Sequence, residues 1–598
     1  MSEKSFKLLE VDLTTKRINV VDVTEEMRKY LGGRGLGAKL LWDRVPPGTD
    51  PFSPENILYF GVGPITGCLG SVVNVSAKSP LTLLRGQSNM NGHLGAELIY
   101  AGYNAGILVT GKAEKPVYLY VKDSDVQIRD ATHLWGKLVV ETQVTLGEEI
   151  KKDLDDQNFR IASIGPAGEH LVRNAAICHD VYHFAARLGM GAVMGSKNLK
   201  AIAVRGTGSS QYTDPAKLFQ MTQTFFHDGR LYKASNRRWG HTISIPQRFY
   251  EGREGIKNKQ LGWHEICDLS NPVRLEQQFK LWNDGCTLCP TGCKVPYLRR
   301  HPPLGPCAGE LRHDSAGGWN ANVMIPGYDT QVYLTPFVGN LGFDSEDVSG
   351  VVAWVMECYD RGLVTRDDLD GIDLSWGNLE AICKLLVKIA YREGIGDILA
   401  DGLKFAPEKL GKELRRYAMT NKGVAITSYE PRGSMLEAVL LALNPVGELH
   451  ADRGTPDRVI FDSLTACAFL RPPIRNVFGD IAQWGVEMLG AACGWNLEIK
   501  DWHDLAHRAS IMERCLCLRE GYVPDRDDVL PDRFFDEEIS TKYGKVLKLD
   551  RDTFREQLEA WYTALRLEKD GMPSKETLHM LGLDFAIPTV EKVRQQWG

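Results

Sequence analysis

Residues 199–226 read LKAIAVRGTGSSQYTDPAKLFQMTQTFF, and the change of texture inside them decides the fold class. Leu199 to Val204 has the composition of a strand. Gly206-Thr207-Gly208-Ser209-Ser210 follows as a linker. Asp214 then stands where an N-cap belongs, ahead of a helical stretch that runs to Phe226. Strand texture ends and helix texture begins across one linker, which predicts an α+β chain with a β-rich N-terminal domain and two mainly α-helical domains after it.

The rest of the chain agrees with that division. Phe6 to Leu13 and Arg17 to Val23 flank a Thr14-Thr15-Lys16 turn and predict a hairpin. Further strands are expected at Ile57 to Gly61, Val72 to Ala77, Gly106 to Thr110, Val117 to Val121 and Phe159 to Ile164, with one main helix from Lys137 to Leu154. Downstream, Val348 to Arg361, Asn378 to Glu393, Asp397 to Leu410 and Thr553 to Leu567 carry apolar faces at helical spacing. At roughly 150 residues per domain, 598 residues exceed one ordinary core. The expected units are a β-rich domain over 1–207, a helical domain over 208–412 and a helical C-terminal domain over 413–598.

Charge and composition exclude several classes of function. The 71 basic and 77 acidic residues are mixed along the chain and leave a formal charge of −6, which offers no footprint for a nucleic-acid partner. Glu3, Lys4, Lys7, Glu10 and Asp12 interrupt the first residues, unlike an export signal. Apolar stretches such as Val351 to Met356 fall far short of the roughly 20 residues that span a bilayer. A cytoplasmic protein without membrane insertion is expected. The 13 cysteines are odd in number and scattered, which points to reduced thiols or metal ligands rather than a disulfide framework.

The sharpest local signal is Cys286-Thr-Leu-Cys289-Pro-Thr-Gly-Cys293. Three thiols spaced two and three residues apart, in a loop marked by Gly285, Pro290 and Gly292, can turn toward one face of an iron-sulfur cubane. Zinc competes on spacing, because paired cysteines two apart also suit a tetrahedral site. A zinc ribbon would bring a second pair, and Cys515-Leu-Cys517 is one residue too tight for it. Cys178, Cys267, Cys358 and Cys383 sit in apolar surroundings and read as core residues. Glycine-rich loops at Gly61 to Gly67, Ser163 to Glu169 and Gly189 to Lys197 could present backbone amides to phosphate, but none has dinucleotide or Walker spacing.

Several further segments carry a family resemblance: Gly32-Gly33-Arg34-Gly35-Leu36, Ser53-Pro54-Glu55-Asn56, Ala77-Lys78-Ser79-Pro80-Leu81-Thr82, Gly95-Ala96-Glu97-Leu98 through Ala101-Gly102-Tyr103, and Gly189 to Val204. Together with the cysteine loop they resemble the tungsten-containing aldehyde:ferredoxin oxidoreductase family over essentially the whole chain. The resemblance implies a first domain that sandwiches two molybdopterins chelating one tungsten or molybdenum, with magnesium as a candidate bridge between the pterin phosphates. It implies a [4Fe-4S] cluster on Cys286, Cys289, Cys293 and Cys467, the last in Asp462-Ser-Leu-Thr-Ala-Cys467 and preferred over Cys493. By the same alignment Asn89, Arg187, Asp344 and Asp462 are pterin contacts, an arginine suiting phosphate by bidentate bonds. His450 is the expected proton-transfer residue, with Glu448 and Glu310 beside it.

The sequence also departs from the family pattern. Val72 stands where an arginine or lysine is usual, His183 replaces a second pterin arginine, and Gly339 replaces the aspartate that opens Gly339-Asn-Leu-Gly-Phe-Asp344. The glutamate expected after the cysteine loop has Glu310 as its nearest counterpart, and the Glu-x-x-His of an inter-subunit metal site is missing. The implied activity is two-electron interconversion of an aldehyde and a carboxylic acid. Electrons would pass through the cluster to ferredoxin or a ferredoxin-like subunit, in a homo- or hetero-oligomer. Two rivals stand beside it: a catalytic subunit that reduces aromatic acyl-CoA substrates at low potential, and an iron-sulfur scaffold without pterin.

Overall fold

The computed structural model describes residues 3–154, 158–229, 234–299, 307–311, 317–427, 429–449 and 454–597. Twelve strands in the first 205 residues form two six-stranded sheets. The first has the order β2-β1-β6-β3-β4-β5, where β1 is Lys7–Asp12, β2 Arg17–Asp22, β3 Leu58–Gly61, β4 Val72–Lys78, β5 Arg85–Asn91 and β6 Gly106–Thr110. The second has the order β11-β10-β9-β12-β7-β8, where β7 is Val117–Lys122, β8 Asp125–Asp130, β9 Arg160–Ser163, β10 Ile177–His179, β11 His183–Ala185 and β12 Leu199–Arg205. The expected hairpin forms in the register Lys7↔Asp22 to Asp12↔Arg17. The two parallel pairs, β1 with β6 and β7 with β12, place helices in the crossovers.

Strand β5 was not legible in the sequence, because its residues RGQSNMN lack apolar alternation. It pairs with β4 over its whole length, from Val72↔Asn91 to Lys78↔Arg85. It is also the edge strand that packs against edge strand β11 of the other sheet. The polar side chains of β5 face a cavity rather than a core, which inverts the usual burial pattern.

Most expected helices appear with a physical start. Asp214 accepts from the Lys217 amide at 2.9 Å to begin Pro215–Thr224, and Asn378 accepts from Ala381 at 3.2 Å to begin Leu379–Tyr391. The helix expected over Asp397 to Leu410 is a correction: it is two, Ile395–Leu399 and Gly402–Leu410, because Gly402 at φ +73° breaks the run. The glycine-serine linker is likewise not a loose tether. Gly206 donates to Glu97 at 2.8 Å and Thr207 holds Asp123 through both its amide and its hydroxyl.

The helical half also completes the core of the β-rich half. Ile511, Met512 and Cys515 of the helix Ile499–Arg519 join one hydrophobic cluster with Leu9, Val75 and Val109 of the first sheet. A separate cluster around Trp319, Trp354 and Leu385 forms the core of the helices between 317 and 418.

Candidate functional site

Where β5 meets β11, the helical half closes over the junction and leaves a cavity of about 210 Å³. Gln87, Ser88, Asn89 and Asn91 enter from β5, and Phe184, Ala186 and Arg187 from β11 and its exit. Asp344 and Glu346 face them from one helix start, and Arg458 and Asp462 from the helix Pro456–Ser463. Glu310 and Cys467 complete the lining. Of the residues singled out in the sequence, Asn89, Arg187, Asp344, Asp462, Glu310 and Cys467 therefore converge on one space.

The floor is a buried ionic network. Asn89 donates to Asp462 at 2.7 Å, and Arg34 binds the other oxygen of Asp462 at 3.1 Å. Arg34 and Arg85 both grip Glu513, and Asn74 ties Gln87 and Asn89 together at 2.7 and 2.8 Å. Arg34, Arg85, Asp462 and Glu513 are essentially inaccessible to water, so each charge depends on its partner.

The glycines of the 32–35 motif serve this network through close packing. Gly33 lies at φ +36°, and a Cβ built there would sit 2.4 Å from the Asp462 carbonyl oxygen. Gly63, in one of the loops considered for phosphate, would place its Cβ 2.5 Å from the Leu464 backbone. These positions let the end of the helix Pro456–Ser463 lie against the first sheet. Gly33→Ala is expected to misplace Asp462 and to lower the thermal midpoint by several degrees in a melting experiment.

On the opposite wall Arg187 is surrounded by carboxylates. It lies 3.3 Å from Asp344, 3.2 Å from Glu346 and in contact with Glu448, all of them buried. Its placement begins with the Ser79-Pro80 turn, where the Ser79 hydroxyl donates to the Leu188 carbonyl at 2.9 Å. Leu188 and Gly189 both take left-handed backbone, turning the chain from β11 into the next helix. Asp344 has two tasks: one oxygen accepts from the Glu346 amide at 3.0 Å and caps the helix Ser345–Asp360, while the other meets Arg187.

Burial, opposed by Arg187 and reinforced by Asp347 and Glu346, raises the Asp344 carboxyl to about 6, and burial likewise raises Asp347. The ordinary Asp344 value is 3.8, so at intermediate pH the folded chain holds a proton that the unfolded chain has released. Stability from this group is present in full below the unfolded value and is lost as pH rises through about 6. Asp344→Asn keeps a capping side chain and removes the titration. Thermal midpoints of cofactor-free protein across that pH range should fall less steeply with rising pH in the variant.

Glu310 lies on the cavity rim, paired with Lys294 at 2.9 Å with both side chains buried. Tyr182 lines the same rim and donates at 2.5 Å to Asp284, two residues before Cys286. Glu448 is engaged with Arg187, and His450 lies outside the described residues.

The thiol loop is set by left-handed backbone at Leu288 and Gly292 and by paired amide bonds between Asp284 and Lys294 at 2.9 and 3.1 Å. The fourth thiol arrives by a separate turn. After the helix Pro456–Ser463, Thr465 takes φ +55°, and Ala466 and Thr465 donate back to Phe461 and Asp462 at 2.9 and 3.3 Å. This Schellman-type reversal places Cys467 beside Cys293 and Cys289. Burial, reinforced by those two neighbours, pushes the Cys467 thiol up to about 12. Cys493 is elsewhere, with its thiol toward the Pro64 carbonyl at 3.9 Å and Cys68 and Lys4 nearby. Among the described residues, no three His, Cys, Asp or Glu side chains are drawn into a closed coordination shell.

Of the substituted positions, Val72 lines the cavity as an apolar side chain. His183 is buried against Tyr182, His93 and His179 and is not among the lining residues. Sequence reading missed Arg85, Glu513, Glu346 and Arg458. The available signals were Glu346 in the first turn behind the Asp344 cap and Arg458 one turn before Asp462.

Comparison with known proteins covers both halves of the chain. Residues 8–206 match the family model described as aldehyde ferredoxin oxidoreductase, N-terminal domain, and residues 249–583 match that for domains 2 and 3. The chain is 34% identical over 616 residues to the tungsten-containing aldehyde ferredoxin oxidoreductase of Pyrococcus furiosus, covering 96% of this chain and 98% of that one. It is 31% identical over 630 residues to the WOR-like subunit of an aliphatic sulfonate oxidoreductase from the same organism, covering 99% of each. Among solved structures, a chain of the BamBC active-site complex of benzoyl coenzyme A reductase with 1,5-dienoyl-CoA superposes with a TM-score of 0.82, at 26% identity and 99% coverage of both. No helix among the described residues is long and apolar enough to cross a membrane.

Proposed function

The chain belongs to the aldehyde ferredoxin oxidoreductase family of tungsten oxidoreductases, and from that premise we propose that it interconverts an aldehyde and a carboxylic acid and passes the electrons singly to a carrier protein. The observation that carries this reading is Cys467, which lines the cavity and at the same time stands beside Cys289 and Cys293. One wall thus separates the space for a large cofactor from the thiol group, as a two-centre redox enzyme requires.

The residues fit the implied groups. The cavity presents polar side chains from both sheets and from the helical half, and the buried Nε of Arg187 has no hydrogen-bond partner among the described residues. Asn89, Arg187, Asp344 and Asp462 would hold the pterins, with magnesium between their phosphates as part of the same proposal. Cys286, Cys289, Cys293 and Cys467 would hold a [4Fe-4S] cluster. When bound, the pterin metal supplies a two-electron acceptor and a Lewis acid for the substrate oxygen, and the cluster supplies a one-electron exit.

The protein's own part is orientation and proton movement. Oxidising an aldehyde to an acid adds the oxygen of water and releases two protons with two electrons, so a base must stand near the substrate carbon. His450 and Glu310 are proposed for that role, Glu310 standing at the rim in an ion pair with Lys294. Glu448 is better suited to fixing Arg187 than to meeting substrate, since it contacts that guanidinium and, unlike Glu310, does not line the cavity. His450→Ala is expected to abolish aldehyde-dependent viologen reduction while metal content is retained. Undiminished turnover would remove His450 from the mechanism.

A second reading is favoured by the full-length likeness to the benzoyl coenzyme A reductase chain. In it the same cofactors and carrier route serve reduction of an aromatic acyl-CoA in a larger assembly. Turnover of a CoA thioester without aldehyde turnover, or co-purifying iron-sulfur subunits, would decide for it.

A further inference from the structure

Three of the chain's 14 histidines lie together between the cavity and the thiol loop, and none of them is among the groups proposed to meet substrate. The His93 and His183 rings are 6.2 Å apart, and those of His179 and His183 are 5.9 Å apart. Gly92, at φ +119°, lets them close up, since a Cβ there would lie 2.9 Å from the His179 ring and 3.1 Å from the His183 ring. His179 and His183 face each other across the β10–β11 pair, and both are buried.

The group reaches in three directions. Toward the cavity, the His183 ring lies 5.0 Å from that of Tyr182, which is part of the lining. Toward the thiols, His93 Nδ1 is 2.8 Å from the Thr287 hydroxyl, and the Gly92 carbonyl accepts from the Thr287 amide at 3.2 Å. Thr287 is the residue after Cys286. Toward solvent, His179 Nε2 is 2.9 Å from Asp180, which meets Arg160 at 3.4 Å, and the two side chains are 22% and 37% exposed. The same Nε2 lies 3.2 and 3.1 Å from the amides of His93 and Leu94. A bare nitrogen accepts from those amides and a protonated one donates to Asp180, so His179 has a partner in either state.

Imidazole changes charge near neutral pH, and a negative charge added nearby favours its protonated form. An electron delivered to a cluster on the Cys286 loop is such a charge. Burial, and after it the Arg160 charge, lowers His93 below the ordinary histidine value of 6.5, with Asp180 and Asp284 opposing. The charged and titratable groups that face it are Arg160, Asp180, His179 and His183 from the second sheet and Asp284 from the thiol loop.

We propose that this histidine group takes up a proton for each electron that reaches the thiol-bound cluster and releases it to solvent at Asp180 when the electron leaves. The inference rests on reading Cys286, Cys289, Cys293 and Cys467 as cluster ligands, and it adds a proton route beside the electron route. The balance is that of the proposed reaction: an aldehyde and one water give an acid, two protons and two electrons, and the electrons leave singly. Each proton moves with its electron, so the buried wall between cavity and loop gains no net charge at either step.

The test is a potentiometric titration of the cluster in anaerobically purified holoenzyme, followed by its paramagnetic signal at several pH values between about 6 and 8, where histidines titrate. As pH rises above the His93 value, the reduction equilibrium should weaken by up to about tenfold per pH unit, which is about 59 mV for a one-electron couple. His93→Gln keeps a hydrogen-bonding side chain for Thr287 but holds no proton, and its potential should lose most of that slope. His183→Gln carries the same expectation and replaces it should His93→Gln fail to fold or to hold iron. A potential independent of pH in the unsubstituted enzyme would overturn the proposal, as would a slope unchanged in both variants. Holoenzyme without a reducible iron-sulfur signal would sink the cluster reading itself, and the proton route with it.

Discussion

Cys467→Ser is expected to strip the chain of its iron while leaving it folded. The purified variant should fall from about four irons per chain to near the background, with loss of the broad visible absorbance of an iron-sulfur cluster. The reasoning is local. Thr465 at φ +55° turns the chain away from the helix Pro456–Ser463 and delivers Cys467 to Cys289 and Cys293. Serine is nearly isosteric but has no thiolate to give. Aldehyde-dependent viologen reduction should fall at least a hundredfold, because the cavity then has no exit for electrons. Cys493→Ser is the internal control, since that thiol lies against the Pro64 carbonyl and away from the loop. If iron follows Cys493 and not Cys467, the assignment of the fourth ligand is wrong.

Glu513→Ala carries the second large effect. Glu513 is gripped by both Arg34 and Arg85, and all three side chains are within about one per cent of full burial. Removing the carboxylate leaves two guanidinium groups in a space closed to water, with Asp462 still paired to Arg34. Breaking a buried pair in this way costs about 3–5 kcal/mol. The first sheet and the helix Ile499–Arg519 meet through this residue, so the loss should appear as a lowered cooperative melting transition. Glu513→Gln keeps the shape and should lie between the two. A melting point within a degree of the parent for the alanine variant would show that the network contributes little.

How much of this was legible in the sequence depended on which side of each element faces solvent. The strands of the two sheets that carry apolar residues, such as β1, β6 and β12, announce themselves, and so do the capped helices at Asp214 and Asn378. Strand β5 does not, because its Gln87, Ser88, Asn89 and Asn91 face the cavity and its polar face is its functional one. The Gly33-Arg34-Gly35 stretch was recognisable as a pattern, yet its purpose became clear only in three dimensions. Gly33 admits the Asp462 carbonyl, and Arg34 reaches across 479 positions of sequence to Glu513. Pairings at that separation leave no periodic trace. The convergence of Asn89, Arg187, Asp344 and Asp462 was available only through family resemblance, since nothing in their spacing places them together. The break at Gly402 was misread because apolar periodicity continues on both sides of it.

The measurement that tests the central claim most directly is metal and pterin analysis of protein purified anaerobically from cells supplied with tungstate and molybdate. About four irons, one tungsten or molybdenum and two pterins per chain are the predicted result. Iron or zinc without tungsten, molybdenum or pterin would contradict it, and would leave the cavity between β5 and β11 without the cofactor its lining is proposed to hold.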